Sequence, residues 1–177
     1  PIENGMAIHR PGLASTCRMP GEDFTGIDRY DHLFRRALEA ILNDGFDCDL
    51  GDEGYIADLG RVDGDIFRIG EMGYRVVVIP PSKTWRPTTY ALLKRFAANG
   101  GRLIFTGETP FELDCEPAAE AWQELILAPG TQVVPCARFQ IQEAVQKAAP
   151  RDFQLSDPEG MPVPNTYVQH RKEGDQD

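Results

Sequence analysis

The sequence is poor in the residues that announce chemistry. Its four cysteines, Cys17, Cys48, Cys115 and Cys136, are scattered, with no Cys-x-x-Cys pair and no histidine at metal-ligand spacing. A zinc site or redox dithiol has nothing to build on; separate thiols in a reduced protein fit the spacing, and disulfides stay open for an exported parent. Lysine and arginine number 18 against 28 acidic residues, a formal net charge of -10. Such a chain repels phosphate backbones at long range, and with no local basic patch nucleic acid is set aside as a partner. Apolar runs such as Val76-Val77-Val78-Ile79 fall far short of the ~20 residues that cross a bilayer, so no membrane segment is expected. No Gly-x-Gly-x-x-Gly or P-loop pattern follows a strand-like segment, which removes the usual phosphate cradles, and no cofactor is expected.

What is present is ordinary globular material. Hydrophobic residues make up 41% and charged residues 26% of 177, enough for one domain that buries roughly 70% of its unfolded surface. The chain opens Pro1-Ile2-Glu3-Asn4-Gly5 without an initiator methionine. Near the other end Asn165 to Arg171 starts like a strand, and Lys172 to Asp177 reads as a hairpin turn with nothing after it. Both ends are expected to be cuts in a longer protein.

Met6-Ala7-Ile8-His9 fits a first strand, followed by a long loop from Arg10 to Gly26 that is a candidate lid or site. Asp28 then caps a helix whose apolar positions Leu33, Phe34, Ala37, Leu38, Ile41 and Leu42 recur at helical spacing. Phe46 to Leu50 alternates as a short second strand, a helical turn covers Tyr55 to Leu59, and Asp63-Gly64 centres an inserted hairpin. Tyr74 to Ile79 is the strongest strand, apolar on both faces as in a covered parallel sheet. A helix with Tyr90, Leu92, Leu93, Phe96 and Ala97 on its apolar face ends at Asn99-Gly100-Gly101, and Arg102 to Thr106 is the next buried strand. Strand, helix and strand with short links make a right-handed parallel crossover. Helices over Ala118 to Leu127 and Phe139 to Ala148 flank an edge strand at Thr131 to Val134. The fold class expected is a three-layer, doubly wound, mainly parallel α/β sheet of the flavodoxin-like kind, occupying residues 1–155. Residues 156–177, rich in proline at Pro158, Pro162 and Pro164, are expected to be a linker and the start of a following β-sandwich.

Doubly wound sheets hold ligands at the carboxyl ends of their strands. The candidates there are His9, Arg10, Glu53, Ser82, Lys83 and Glu108. The competing explanation is that strand ends are polar because they meet water. Ser82 follows a strand, but Pro80, Pro81, Lys83 and Thr84 around it do not form the glycine-flanked elbow of a nucleophile. His9, His32 and His170 are dispersed, which argues against a Ser-His-acid triad. Glu53 and Glu108 form the one carboxylate pair to consider for glycoside cleavage, yet among 28 acidic residues two at strand ends is expected by chance. No catalytic residue is assigned.

Phe46-Asp47-Cys48-Asp49-Leu50-Gly51-Asp52-Glu53, Tyr74 to Pro81 and Leu92 to Ile104 together resemble a domain inside large bacterial glycoside hydrolases of the α-L-rhamnosidase-like class that carry a family-2-type sugar-binding module. The helix closed by Gly-Gly before an apolar strand is also similar to the class I glutamine amidotransferase-like domain that helps β-galactosidases trimerise. The closing Tyr167 to Asp175 resembles the entry to the β-sandwich that follows in such enzymes. The resemblance implies a domain without catalytic residues of its own, sugar cleavage residing on a separate (β/α)8 barrel. Its partners would be that barrel, the β-sandwich, a further copy in a homo-oligomer, and carbohydrate bound by the parent. Trp85, Trp122 and Tyr90 are candidates for stacking on sugar faces, although a helix-borne aromatic is more often core. An independent module binding a sugar or nucleotide at the strand ends is the alternative.

Overall fold

The computed structural model describes residues 24–149, 155–160 and 163. The expected first strand with His9 and Arg10, the strand from Asn165 to Arg171, most of the loop ending at Gly26 and Cys17 lie outside the described residues.

The molecule is a mixed α/β structure around a parallel sheet. Strands β4 (Val76–Ile79), β6 (Arg102–Thr106) and β9 (Thr131–Val134) lie side by side in the order β4-β6-β9. Val77 pairs with Leu103 and Phe105 with Val133, all parallel. Between β4 and β6 runs α3 (Pro87–Ala98). Its proline at N1 gives up an amide that has no intrahelical acceptor anyway. It closes in a Schellman motif, Gly101 N–H bonding the Phe96 carbonyl (2.9 Å) and Gly100 N–H that of Ala97 (3.1 Å), with Gly100 at φ 90°. Gly101 has a second reason to be glycine, since a Cβ there would stand 2.3 Å from the Phe96 ring.

Alternation along β6 sends side chains to opposite faces, and both faces are covered. Leu103 and Phe105 join Leu93, Phe96, Trp122 and Leu125, from α3 and α4 (Ala119–Ile126). Ile104 joins Ala37, Ile41, Ile141 and Val145, from α1 (Phe24–Leu42) and α5 (Arg138–Ala148). Side chains satisfy the carbonyls these helices leave at their C-termini: Gln142 donates to Ala40 O (3.1 Å), and Arg102 to Lys147 O (2.9 Å) and Ala148 O (2.7 Å).

Several expectations need correction. Helix α1 starts at Phe24, so Asp28 lies inside it and is no cap, and the loop does not reach Gly26. One glycine in a long helix costs only ~1 kcal/mol. Phe46 to Leu50 pairs with no strand among the described residues; it is an extended segment whose Phe46 and Cys48 pack against the α1–α5 core. Helix α2 (Glu53–Leu59) begins two residues before Tyr55, because Asp52 caps it by accepting from Gly54 N (2.8 Å) and Tyr55 N (3.1 Å).

The expected hairpin turns at Gly64-Asp65 instead of Asp63-Gly64, since Asp63 pairs with Ile66, and it is part of a three-stranded antiparallel meander, β1 (Gly60–Asp63), β2 (Ile66–Ile69) and β3 (Met72–Tyr74). Both turns are two-residue loops with glycine at positive φ in first place, Gly64 (57°) and Gly70 (59°). The strong strand is therefore shorter than its apolar run, since Tyr74 belongs to the meander and the parallel sheet starts at Val76. A further small sheet, β5 (Thr84–Trp85), β7 (Glu112–Leu113) and β8 (Glu116–Pro117), has no counterpart in the sequence reading. Its β7–β8 turn holds Asp114 and Cys115 at φ 53° and 66°.

Candidate functional site at the strand carboxyl ends

The strands β4, β6 and β9 all run into loops at one end of the sheet. Thr106, at the close of β6, is fully buried, and its hydroxyl reaches Ile79 O (3.4 Å) across the ladder. Next comes Gly107 at φ 78°, where a Cβ would sit 3.1 Å from Cys136 Cβ and 3.2 Å from Pro81 Cγ. Three loops therefore converge, and the backbone has no room for a side chain between them.

Ser82 and Glu53 meet around the segment that leads into α3. The Ser82 hydroxyl is buried; it donates to Pro80 O (3.1 Å) and accepts from the Trp85 indole N–H (2.7 Å). Both of its hydrogen-bonding roles are thereby used. Glu53 is fully buried at the start of α2, and its Oε1 accepts the Arg86 backbone N–H (2.9 Å). Arg86 is the N-cap residue of α3 and offers no capping side chain of its own. A carboxylate from a neighbouring helix thus faces the positive end of the α3 dipole.

Lys83 and Glu108 point elsewhere. Lys83 pairs with Glu112 on β7 (3.2 Å), and Glu108 forms an exposed ion pair with Arg29 on α1. That contact raises the Arg29 guanidinium above its ordinary value, through the hydrogen bond first and the charge second. Glu53 and Glu108 therefore serve different elements, α3 and α1. His9 and Arg10 lie outside the described residues.

Thr84, Thr89, Thr106 and Cys136 also belong to this end and were not singled out from the sequence. Thr84 is buried and its Oγ1 accepts from Cys115 N (2.8 Å), holding the strained β7–β8 turn. Thr89 is buried in the first turn of α3. The Cys136 thiol donates to Leu33 O (3.4 Å), while Arg36 reaches the Cys136 carbonyl (3.5 Å). Burial pushes this thiol up, opposed by a hydrogen bond from Thr106 and the Arg36 charge, so it stays protonated at neutral pH and is a poor nucleophile. An isolated Thr or Cys after an apolar run is too common a pattern to have marked these positions.

Of the aromatic candidates for sugar stacking, Trp85 and Trp122 are core residues and Tyr90 packs half-buried against them. Trp122 is 1% and Trp85 6% exposed; Trp122 meets Trp85, Tyr90 and Phe105 edge to face at 6.4, 5.2 and 6.2 Å between centroids. Tyr90 spends its hydroxyl on Ala121 O (2.9 Å). The two tryptophans are thereby closed to a sugar, and Tyr90 is half-buried with its hydroxyl and one ring contact committed to the core.

A cleft of about 510 Å³ lies at the opposite, amino end of the strands, between Asp65, Arg75, Arg102, Gln146 and Lys147. Its cations are engaged: Arg102 with the α5 carbonyls, Arg75 with Asp65 (3.4 Å) and Lys147 with Glu143 (2.6 Å). Among the described residues no cluster of His, Cys, Asp and Glu is placed to hold a metal ion, and no helix is long and apolar enough to cross a membrane. The chain matches no protein-family model, no curated protein and no solved structure. The geometry of the strand ends carries the functional argument. Their polar groups form a connected set of fold contacts: Ser82 fixes Trp85, Glu53 fixes the α3 start, and Thr84 fixes the β7–β8 turn.

Proposed function

We propose that this chain is a flavodoxin-like, class I glutamine amidotransferase-like accessory domain of a bacterial glycoside hydrolase, with a scaffolding rather than a catalytic task. Two features support the fold reading: the parallel β4–α3–β6 unit with its Gly-Gly exit, and a sheet covered by helices on both faces. The observation that carries the scaffolding reading is Ser82. Its hydroxyl, the one candidate nucleophile considered after a strand, is tied as donor to Pro80 O and as acceptor to Trp85 Nε1, an arrangement that locks a loop instead of arming an oxygen. The tasks that follow are packing against a (β/α)8 barrel and a β-sandwich, rimming a carbohydrate cleft, or contributing to a homo-oligomer. The test is direct assay of the isolated chain on aryl rhamnosides and galactosides. No turnover above buffer is expected, and turnover abolished by Glu53→Gln or Glu108→Gln would reject the scaffolding role.

A further inference from the structure

Large apolar side chains stand exposed just before α2, on α2 itself and on the meander. Leu50 is 64%, Tyr55 66%, Leu59 50% and Met72 57% exposed. Tyr55 and Leu59 are one helical turn apart and share a face. Gly70 N–H bonds the Leu59 carbonyl (3.2 Å), and Met72 follows two residues on, beside Ile69, which pairs in turn with Gly60. Single exposed hydrophobics are ordinary; several in one neighbourhood mark an interaction surface.

The charge around this patch selects its occupant. Residues 43–60 carry Asp44, Asp47, Asp49, Asp52, Glu53 and Asp58 and not one lysine, arginine or histidine. Asp49, Asp58 and Glu71 are exposed and directly precede Leu50, Leu59 and Met72 in the chain, and Asp47 is exposed just before them. Of the cations on neighbouring elements, Arg86 meets the buried Glu53 at the start of α2 through its backbone N–H (2.9 Å), and Arg61 and Arg68 belong to the outer face of the meander. Both are drawn to Asp63 (3.4 and 2.9 Å), and they reach the Gly70 and Glu71 carbonyls. A second copy would bring an identical acidic rim, within a chain of net charge -10, against this one, and an anionic lipid or nucleic-acid surface would be repelled in the same way.

We infer that the Leu50–Tyr55–Leu59–Met72 face docks a protein surface whose apolar centre is ringed by lysine and arginine. The inference does not rest on the glycoside hydrolase reading. Apolar contact supplies the affinity, and the complementary rim supplies orientation and rate.

The test is titration of the isotope-labelled chain with an amphipathic peptide that presents leucine on one helical face and lysine on the other, followed by NMR. Shifts are expected to concentrate in residues 50–73, with affinity falling about tenfold between roughly 0.05 and 0.5 M salt. The Tyr55→Ser/Leu59→Ser double variant is expected to lose at least about tenfold in affinity, as a patch centre does, while Leu127→Ser, 75% exposed elsewhere, binds as the parent. Unchanged backbone spectra away from the patch confirm that each variant folds. Equal binding by the double variant, shifts spread over the whole acidic surface, or equal binding of a peptide with glutamate for lysine would each overturn the inference. So would a dimer of the free chain that Leu59→Ser dissociates.

Discussion

On one face of the parallel sheet Trp85, Phe96, Phe105 and Trp122 interlock with Ile56, Val62 and Phe67; on the other, Ala37, Ala40, Ala144 and Ala148 surround Ile41, Ile104 and Ile141. The same strand, β6, supplies both cores by alternation. The alanine side joins two regular helices, and small side chains let α1 and α5 pack with little between them. The aromatic side must fill the space under irregular pieces, the meander and the short β5–β7–β8 sheet, which present few side chains of their own. Phe67 from the meander meets Phe96 edge to face at 5.6 Å, and the Trp122 indole donates to the Glu112 carbonyl of β7 (3.0 Å). Large rings with a polar edge suit that role, because one residue fills volume and satisfies a stray backbone acceptor at once. One face is therefore sensitive to removal of volume and the other to its addition.

The largest effect that tests this contrast is Trp122→Ala. It leaves a cavity beneath three aromatic neighbours and strands the Glu112 carbonyl, with an expected loss of about 3–5 kcal/mol in urea unfolding; a loss below about 1.5 kcal/mol would mean the aromatic side collapses freely. On the alanine side Ala144→Leu is expected to cost about 1–3 kcal/mol by overpacking between α1 and α5. A stabilised variant would show the two helices to be more loosely packed than their burial indicates.

Ser82→Ala should cost about 1–3 kcal/mol, since it leaves the buried Trp85 indole N–H without its acceptor. Replacement by Thr, which restores the oxygen, is expected to recover part of that, whereas no loss from Ser82→Ala would remove the loop-locking role on which the proposed function stands.

The smallest effect is in pH. Burial, aided by Asp47 and Asp49, pushes the Cys48 thiol on the alanine side up to about 11. Burial and then the hydrogen bond to Asp49 (2.7 Å) raise the Tyr74 hydroxyl on the aromatic side further still. For an acid whose folded pKa is raised, the folded state holds its proton longer than the unfolded chain. Stability is then constant below the unfolded pKa and falls as pH rises through the window above it. Urea midpoints are expected to decline from about pH 9, and Cys48→Ala should flatten the part of that decline that ends near pH 11. An unchanged slope in this variant would assign the decline to Cys136 and the two tyrosines, Tyr74 and Tyr90, instead of Cys48.

The legible parts of the chain were those where local and global signals coincide. Val76–Ile79 and Arg102–Thr106 are continuous apolar runs, and their parallel pairing followed from the helix between them and its Gly-Gly exit. Much less of the candidate site could be read. Ser82 and Glu53 were recognisable as strand-end polar residues, but their partners, the Trp85 indole and the Arg86 amide, are set by a loop whose path no periodicity records. The β7–β8 turn was hidden because its positive-φ positions carry Asp114 and Cys115 where glycine or asparagine would have announced it. Held by Trp85 O through Asp114 N–H (2.8 Å) and by Thr84 Oγ1 through Cys115 N–H, the turn draws its stability from contacts distant in sequence.

Sequence by itself determined the α/β class, the strand–helix–strand unit and the apolar faces of its regular elements, because apolar spacing and helix-terminating glycines act over a few residues. Tertiary structure alone decided which polar groups at the strand ends became structural ties, that the tryptophans are enclosed, and that Tyr55, Leu59 and Met72 are left exposed. Those outcomes depend on what lies across a gap in space, and the preferences of neighbouring residues along a chain carry no record of it.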